Sequence, residues 1–299
     1  MSGYKYLFGP VPSRRLGASL GVSPIPERTC NYSCVYCQLG RTLRMTNTRQ
    51  EFFPLEEILA EFREYLRGSI PFDVVTVVGE GEPTLYSRLG ELIAGLKKET
   101  DKPVAVITNG ALLYDAEMRS LDAVTEEQYR KIDRPMGSIG FAEMAEGLRQ
   151  FAREYQGQLW IEIMLVDGMN DSPEDIAAFK EFLGTIDYDR VYLNTPVRPP
   201  AEGFVHTSAP ERIDLTAREL GGISIDQLTS GSFFSEVEDP YEAILSIARR
   251  HPMNQFEVES FLEAREIPAD QRQALMVRLG QDPGITVVPY KGISTYRVN

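Results

Sequence analysis

Metal-binding and redox-active side chains are scarce in this sequence, whose 299 residues hold three cysteines and two histidines. His206 and His251 stand in distant segments with no ligand spacing around them. A structural zinc site normally takes four protein ligands, so it lacks a supported fourth here. Three thiols cannot all pair within one chain, and something other than a disulfide framework must explain them. Positive charge is also short. The 31 Lys and Arg against 44 Asp and Glu give a net charge of −13, which opposes a non-specific grip on a phosphate backbone and leaves only a local basic pocket for an anionic partner. No run reaches the roughly 18 apolar residues of a membrane span, and the opening MSGYKYLFGPVPSRRLG has no apolar signal-peptide core. The expectation is a cytoplasmic protein with no membrane partner.

What is present is an ordinary globular composition, 42% hydrophobic and 25% charged, over a length that suggests one large domain and a smaller one. From Phe72 a cadence repeats. The runs FDVVTVVG (72–79), PVAVITNG (103–110), LWIEIMLV (159–166) and RVYLNTPV (190–197) read as strands, with amphipathic helical stretches between them. Strand–helix alternation gives a parallel sheet with right-handed crossovers, and places functional residues at the C-terminal strand ends. One link breaks the pattern. Only ten residues separate Gly110 from LDAV at 121, too few for a helical crossover into a new parallel strand. Either the sheet is short of an element or the sequence omits one. After Pro200 the cadence stops, and the large domain is read as residues 1–205. Residues 206–239 read as a connector, and 240–299 as three helices and a hairpin turning at Lys291-Gly292, a winged-helix-like domain. Its seven Lys/Arg and seven Asp/Glu leave no basic footprint for nucleic acid.

All three cysteines, Cys30, Cys34 and Cys37, fall within CNYSCVYC at C-x3-C-x2-C spacing. Buried inert thiols do not usually crowd a turn-rich stretch, and a redox pair of Cys34 and Cys37 leaves Cys30 unexplained. A reading that uses all three is an iron–sulfur cube on three thiolates with its fourth iron open to a non-protein ligand. The spacing, with Tyr36 just before the last cysteine, resembles the radical S-adenosylmethionine (SAM) superfamily. The resemblance implies a partial (β/α)6 TIM-like barrel, a [4Fe-4S] cluster, SAM chelating the open iron, and a 5′-deoxyadenosyl radical that takes hydrogen from a substrate.

Other segments extend the resemblance over about residues 5–205. VVGEGEPTL (77–85) looks like the family's GGEP element at Gly81, Glu82 and Pro83, with Glu80 where glycine is common; the related form occurs in the wyosine-forming branch. By resemblance Glu82, or the backbone around it, holds the SAM amino group. TNG (108–110) offers Asn109 near the SAM ribose or substrate. The segment SLDAVTEEQYRKIDRP offers Ser120 and Asp122 at a strand end, while Thr125 to Gln128 reads as a helix cap with its capping box. LNTPVRPP offers Asn194 and Arg198, with Leu193 or Val197 against adenine. Arg14 and Arg15 stand before the strand leading into the cysteine loop and would neutralise an acidic substrate; Glu162 replaces a residue often basic in relatives. Asp171 reads as part of a solvated helix-cap region.

These readings imply an enzyme that cleaves SAM reductively and draws electrons from an external donor such as flavodoxin or ferredoxin. Its substrate is read as a small metabolite or a peptide. A tRNA-base modification is the alternative reaction, opposed by the acidic charge. An iron–sulfur redox sensor with a winged-helix output domain is the alternative of another class, and it leaves GEGEP without a use.

Overall fold

The computed structural model describes residues 4–68, 70–112, 121–225, 233–235 and 237–299. The chain opens with the antiparallel pair β1 (Leu7–Ser13) and β2 (Gly17–Val22), followed by two short strands that frame the cysteine loop, β3 (Thr29–Cys30) and β4 (Arg44–Met45). Helix α1 (Leu55–Tyr65) buries Leu55, Ile58, Leu59, Phe62 and Tyr65, an i, i+3, i+4, i+7 stripe. Strand β5 (Val74–Val77), helix α2 (Leu89–Glu99) and strand β6 (Val104–Val106) complete the first sheet, ordered β1-β2-β5-β6, with β2, β5 and β6 parallel.

The second half contains α3 (Glu126–Ile132), α4 (Phe141–Glu154), β7 (Trp160–Met164), α5 (Pro173–Leu183), β8 (Arg190–Asn194), α6 (Pro210–Leu220) and β9 (Ile223–Ser224). Strands β7, β8 and β9 form a parallel sheet in that order. The start of α3 is capped as its sequence suggests. Thr125 accepts from the Gln128 N–H at 3.2 Å, but the Gln128 side chain accepts from Val124 rather than Thr125, so the box is not closed. Closed boxes belong to α5, where Ser172 and Asp175 cap each other, and to a later helix, where Asn254 and Glu257 do. Asp171 is therefore not a solvated cap residue. It is buried and accepts from the Gly168 N–H at 2.9 Å, bracing a turn in which Gly168 has φ +65°.

Two differences from the sequence-based expectation concern the barrel. The segment 206–239 is not simply a connector, because its first part supplies α6 and the strand β9 that extends the sheet. Among the described residues no strand stands between β6 and β7. Leu121 to Ala123 reaches only the C-terminal part of β7, where Leu121 N–H donates to the Glu162 carbonyl at 3.0 Å. Below that point a slot of about 400 Å³ separates the sheets, lined by Val104 to Thr108 and Trp160 to Glu162. Most of the link that was too short, residues 113–120, lies outside the described residues, as does Ser120.

The last 60 residues form α7 (Pro240–Ala248), β10 (Met253–Asn254), α8 (Gln255–Ala264), α9 (Ala269–Gln281), β11 (Ile285–Tyr290) and β12 (Ile293–Val298). The antiparallel sheet is ordered β10-β12-β11. Its hairpin turns at Lys291 and Gly292, both left-handed at φ +49° and +77°, as a two-residue turn of matching twist demands. This unit shares a core with β1: Phe8 and Val11 pack with Tyr241, Ile244, Ile247, Phe261 and Tyr296. It is thereby laid across the face where the first sheet begins.

Candidate active site

The cysteine loop begins where β3 runs against the glycine-rich turn after β5. Gly81 bridges Thr29, and the Glu82 N–H donates to the Thr29 carbonyl at 3.1 Å. The approach is so close that a Cβ on Gly81 would stand 1.9 Å from that oxygen. The Glu82 carboxylate is buried and fully engaged. It accepts from the Thr84 N–H at 3.0 Å, the Thr84 hydroxyl at 2.6 Å, the Thr108 hydroxyl and the Asn109 N–H at 2.8 Å. Burial pushes its pKa up, against the pull of these donors. Pro83 is buried and starts a single 3-10 turn. Glu82 thus ties the end of β6 to the turn, and the turn to the loop.

Asn109 continues the chain of contacts, donating to Asn31 Oδ1 at 2.8 Å and to Cys30 Sγ at 3.5 Å. On the far side, the Tyr36 hydroxyl donates to Asp122, whose other oxygen accepts from the Met164 N–H at 2.7 Å. Asp133 lies 3.8 Å from Cys34 Sγ. Both carboxyls are buried. Burial raises Asp122 to about 6 and Asp133 well above its ordinary value, with Asp122 the second cause at Asp133. Burial also raises all three thiols; at Cys37 the cations Arg297 and Arg28 counter it in part.

Beside the loop opens a cavity of about 360 Å³, reached by Tyr36, Cys37, Gln38, Met164, Asn194 and Val197. Its wall also holds four arginines, Arg14, Arg15, Arg198 and Arg250, against Glu162 and Glu257. Arg15 is ion-paired with Glu162, which accepts from Asn194 Nδ2 at 2.9 Å. Arg198 points into the C-terminal unit. It donates to the Pro252 carbonyl at 2.8 Å, to Glu257 at 2.9 Å and to His251 Nε2 at 2.5 Å. Because arginine only donates, that nitrogen is the acceptor and His251 is neutral. Burial and the Arg198 charge hold its pKa well below the ordinary value. Arg250 and Glu80 form a buried pair at 3.3 Å that joins the same unit to the glycine-rich turn.

Comparison with known proteins bears on this geometry. The sequence profile described as the Radical SAM superfamily matches residues 25–180, just over half of the chain, including every cysteine and the GEGEP turn. The chain belongs to the radical SAM superfamily. It is 34% identical over 285 residues to the UPF0026 protein MJ1312 of Methanocaldococcus jannaschii, 88% of each chain. A protein named GTPase Obg from Brachyspira hyodysenteriae is 41% identical over 205 residues, but this chain, matched over 65% of its own length, spans only 30% of that one. A radical SAM methyltransferase from Sphaerobacter thermophilus shares the fold at a TM-score of 0.52, covering 70% of this chain and 67% of that one, with 18% identity.

Radical SAM proteins use a [4Fe-4S] cluster and SAM, and need an external reductant. The donor set here fits that group. Among the described residues no three His, Cys, Asp or Glu side chains converge as for a single metal ion. A cube takes one thiolate at each of three irons, which matches three free cysteines in one loop, whereas a structural zinc site normally takes four protein ligands. Of the residues expected from sequence, the structure gathers Cys30, Cys34, Cys37, Tyr36, Gly81, Glu82, Pro83, Asn109 and Asp122 around the loop, and sets Arg14, Arg15, Glu162, Asn194 and Arg198 on the cavity. Leu193 is the exception. Strand alternation turns Glu162, Met164 and Asn194 to the cavity, while Ile161, Ile163 and Leu193 join the buried core with α4, α5 and α6. Val197, the other candidate, does line the cavity. Sequence reasoning missed Asp133, His251, Arg250 and Glu257. The first stood in view beside Arg134-Pro135; the other three lie more than 25 residues beyond β9, the last strand of the second sheet.

Proposed function

We propose that Cys30, Cys34 and Cys37 hold one [4Fe-4S] cluster, and that SAM and a small metabolite or short peptide meet beside it in the cavity of about 360 Å³. When bound, the cluster supplies the electron that cleaves SAM, and the resulting 5′-deoxyadenosyl radical takes hydrogen from the substrate. The supporting observation is the GEGEP turn locked onto the cysteine loop through Gly81, Thr29 and Glu82. A redox sensor has no need of it. Because the Glu82 side chain is already engaged by four donors, the backbone of the turn is the better candidate for facing the SAM amino group. Asn109 donates to Cys30 and favours its thiolate. The Tyr36–Asp122 hydrogen bond orients the ring at the cavity wall.

Three of the four arginines in the cavity wall are paired, Arg15 with Glu162, Arg198 with Glu257 and Arg250 with Glu80, so an acidic substrate would engage Arg14 or displace one of those glutamates. We read the C-terminal unit as winged-helix-like and as a wall of the substrate site, on the evidence of Arg198, His251 and Glu257.

The test is anaerobic cluster reconstitution, then dithionite and SAM, with nucleoside products read by mass spectrometry. The parent is expected to form 5′-deoxyadenosine and Cys34→Ala to form none. A loaded, reducible cluster that binds no SAM would sink the reading in favour of the sensor.

A further inference from the structure

Residues 28–50 carry four arginines and no lysine, aspartate or glutamate, between Glu27, which pairs with Arg28, and Glu51, in a chain whose net charge is −13. This is the segment that holds the cysteines, and part of it turns outward. Leu43 is 66% exposed and Met45 40%, with the exposed Arg44 between them. Two more exposed apolar side chains, Met136 and Phe204, stand near the same edge. The contacts are continuous. Met45 pairs with Cys30 in the β3–β4 register, the Met136 N–H donates to the Asn31 carbonyl at 2.8 Å, and Arg134 lies 5.9 Å from the Phe204 ring. Arg41 and Arg134 share the Glu202 carboxylate. Four of the eleven exposed large apolar side chains among the described residues therefore border the cysteine loop, interleaved with arginines. Leu43, Arg44 and Met45 take no part in lining the cavity.

A basic rim around an apolar centre, on an otherwise acidic molecule, is the surface a transient acidic partner requires. Opposite charge speeds encounter, and the apolar centre excludes water from a small interface. An RNA partner would call for a denser cationic track and stacking rings where Leu43 and Met45 stand. We propose that this surface docks the electron donor, a small acidic one-electron carrier protein of the flavodoxin kind. The inference rests on the reading that the three cysteines hold the cluster. One electron crosses: the carrier is oxidised by one, the cluster is reduced by one, and no bond changes. The β3–β4 pair sets Met45 beside Cys30, so the docked carrier is one strand from a cluster ligand.

The experiment uses the cluster-loaded protein, photoreduced flavodoxin and two variants, Arg44→Glu and Leu43→Asp, neither in the catalytic machinery. Reduction of the cluster is followed anaerobically by stopped flow, and flavodoxin affinity by calorimetry. Each variant is expected to lower the bimolecular rate and weaken Kd by about 10-fold, as for loss of charge or apolar complementarity at a small interface. In the parent the rate should fall as salt rises. Iron content and dithionite-driven 5′-deoxyadenosine formation should match the parent in both variants. Unchanged flavodoxin rate and Kd in both would overturn the assignment. So would bulk tRNA that binds the parent, loses affinity in Arg44→Glu and displaces no flavodoxin. A parent that loads no cluster fails the functional reading instead, and the calorimetric titration then decides the surface alone.

Discussion

A methyl group on Gly81 would sit 1.9 Å from the Thr29 carbonyl oxygen, a backbone atom that cannot move without moving the cysteine loop. Gly81→Ala is therefore expected to cost about 1–3 kcal/mol and to lower iron retention after reconstitution. Gly90, exposed in the first turn of α2 with nothing within 4 Å of its Cβ position, is the control. Gly90→Ala should be neutral or stabilising by up to about 1 kcal/mol, because alanine loses less backbone entropy in a helix. Urea denaturation of both variants separates crowding from propensity. Asp122 offers a pH test. Its folded pKa of about 6 stands above an unfolded value of about 3.9, so the folded state holds the proton more tightly. Its stabilising contribution is complete below about pH 4 and is lost as pH rises through 6. From below pH 4 to above pH 6 the metal-free parent should lose more stability than Asp122→Asn, read from urea midpoints at several pH values. Equal pH profiles would refute the buried-carboxyl account. At this scale the sequence was most legible where spacing is local, as in Cys30, Cys34, Cys37 and Glu82. It was least legible for Asp133, whose closeness to Cys34 exists only once α3 is packed.

Between elements, the junction to watch is the buried pair of Glu80, in the turn after β5, and Arg250, just past α7. Arg250 also donates to the Lys5 carbonyl at 2.8 Å and lies 5.4 Å from the Phe8 ring. Ser23 stands 3.4 Å from the same Glu80 oxygen. Removing one partner strands the other charge in the interior, so Arg250→Met should cost about 3–5 kcal/mol. The double variant Glu80→Gln/Arg250→Met should be less damaging than the sum of the singles, since no uncompensated charge remains. Additive losses in a denaturant cycle would show that the two do not act as a pair. The strands β5, β6, β7 and β8 were legible because their β-branched runs are framed by turn residues. Strand β9 was not, because two residues that follow α6 and a glycine pair carry no period. Leu193 was misassigned for a related reason: a continuous apolar run marks a strand without saying which residues face the cavity, and only the register beside Glu162 and Met164 settles it.

On the scale of the whole molecule, the ten-residue link after Gly110 falls where, among the described residues, the strand ladders stop between β6 and β7. Among the described residues no ladder joins the sheet that carries the GEGEP turn to the sheet that carries Asn194. The C-terminal unit compensates by touching both. It meets the first half through Phe8, Val11 and the Glu80–Arg250 pair, and the second through Arg198, which reaches His251, Pro252 and Glu257. No periodicity in residues 240–299 could have revealed this bracing, because each contact depends on a partner far away in sequence. A chain ending at residue 225 retains α6 and β9 but exposes Phe8 and Val11 and leaves the Glu80 carboxylate without its cation. That truncation should lose a single cooperative thermal transition, bind a hydrophobic dye and aggregate at micromolar concentration, whereas full-length Arg198→Ala should keep one transition at a lower midpoint. Calorimetry alongside light scattering reads both. A cooperative, monomeric 1–225 chain that still loads iron would show that the barrel halves hold together without the brace, and that the C-terminal unit acts on the substrate side alone.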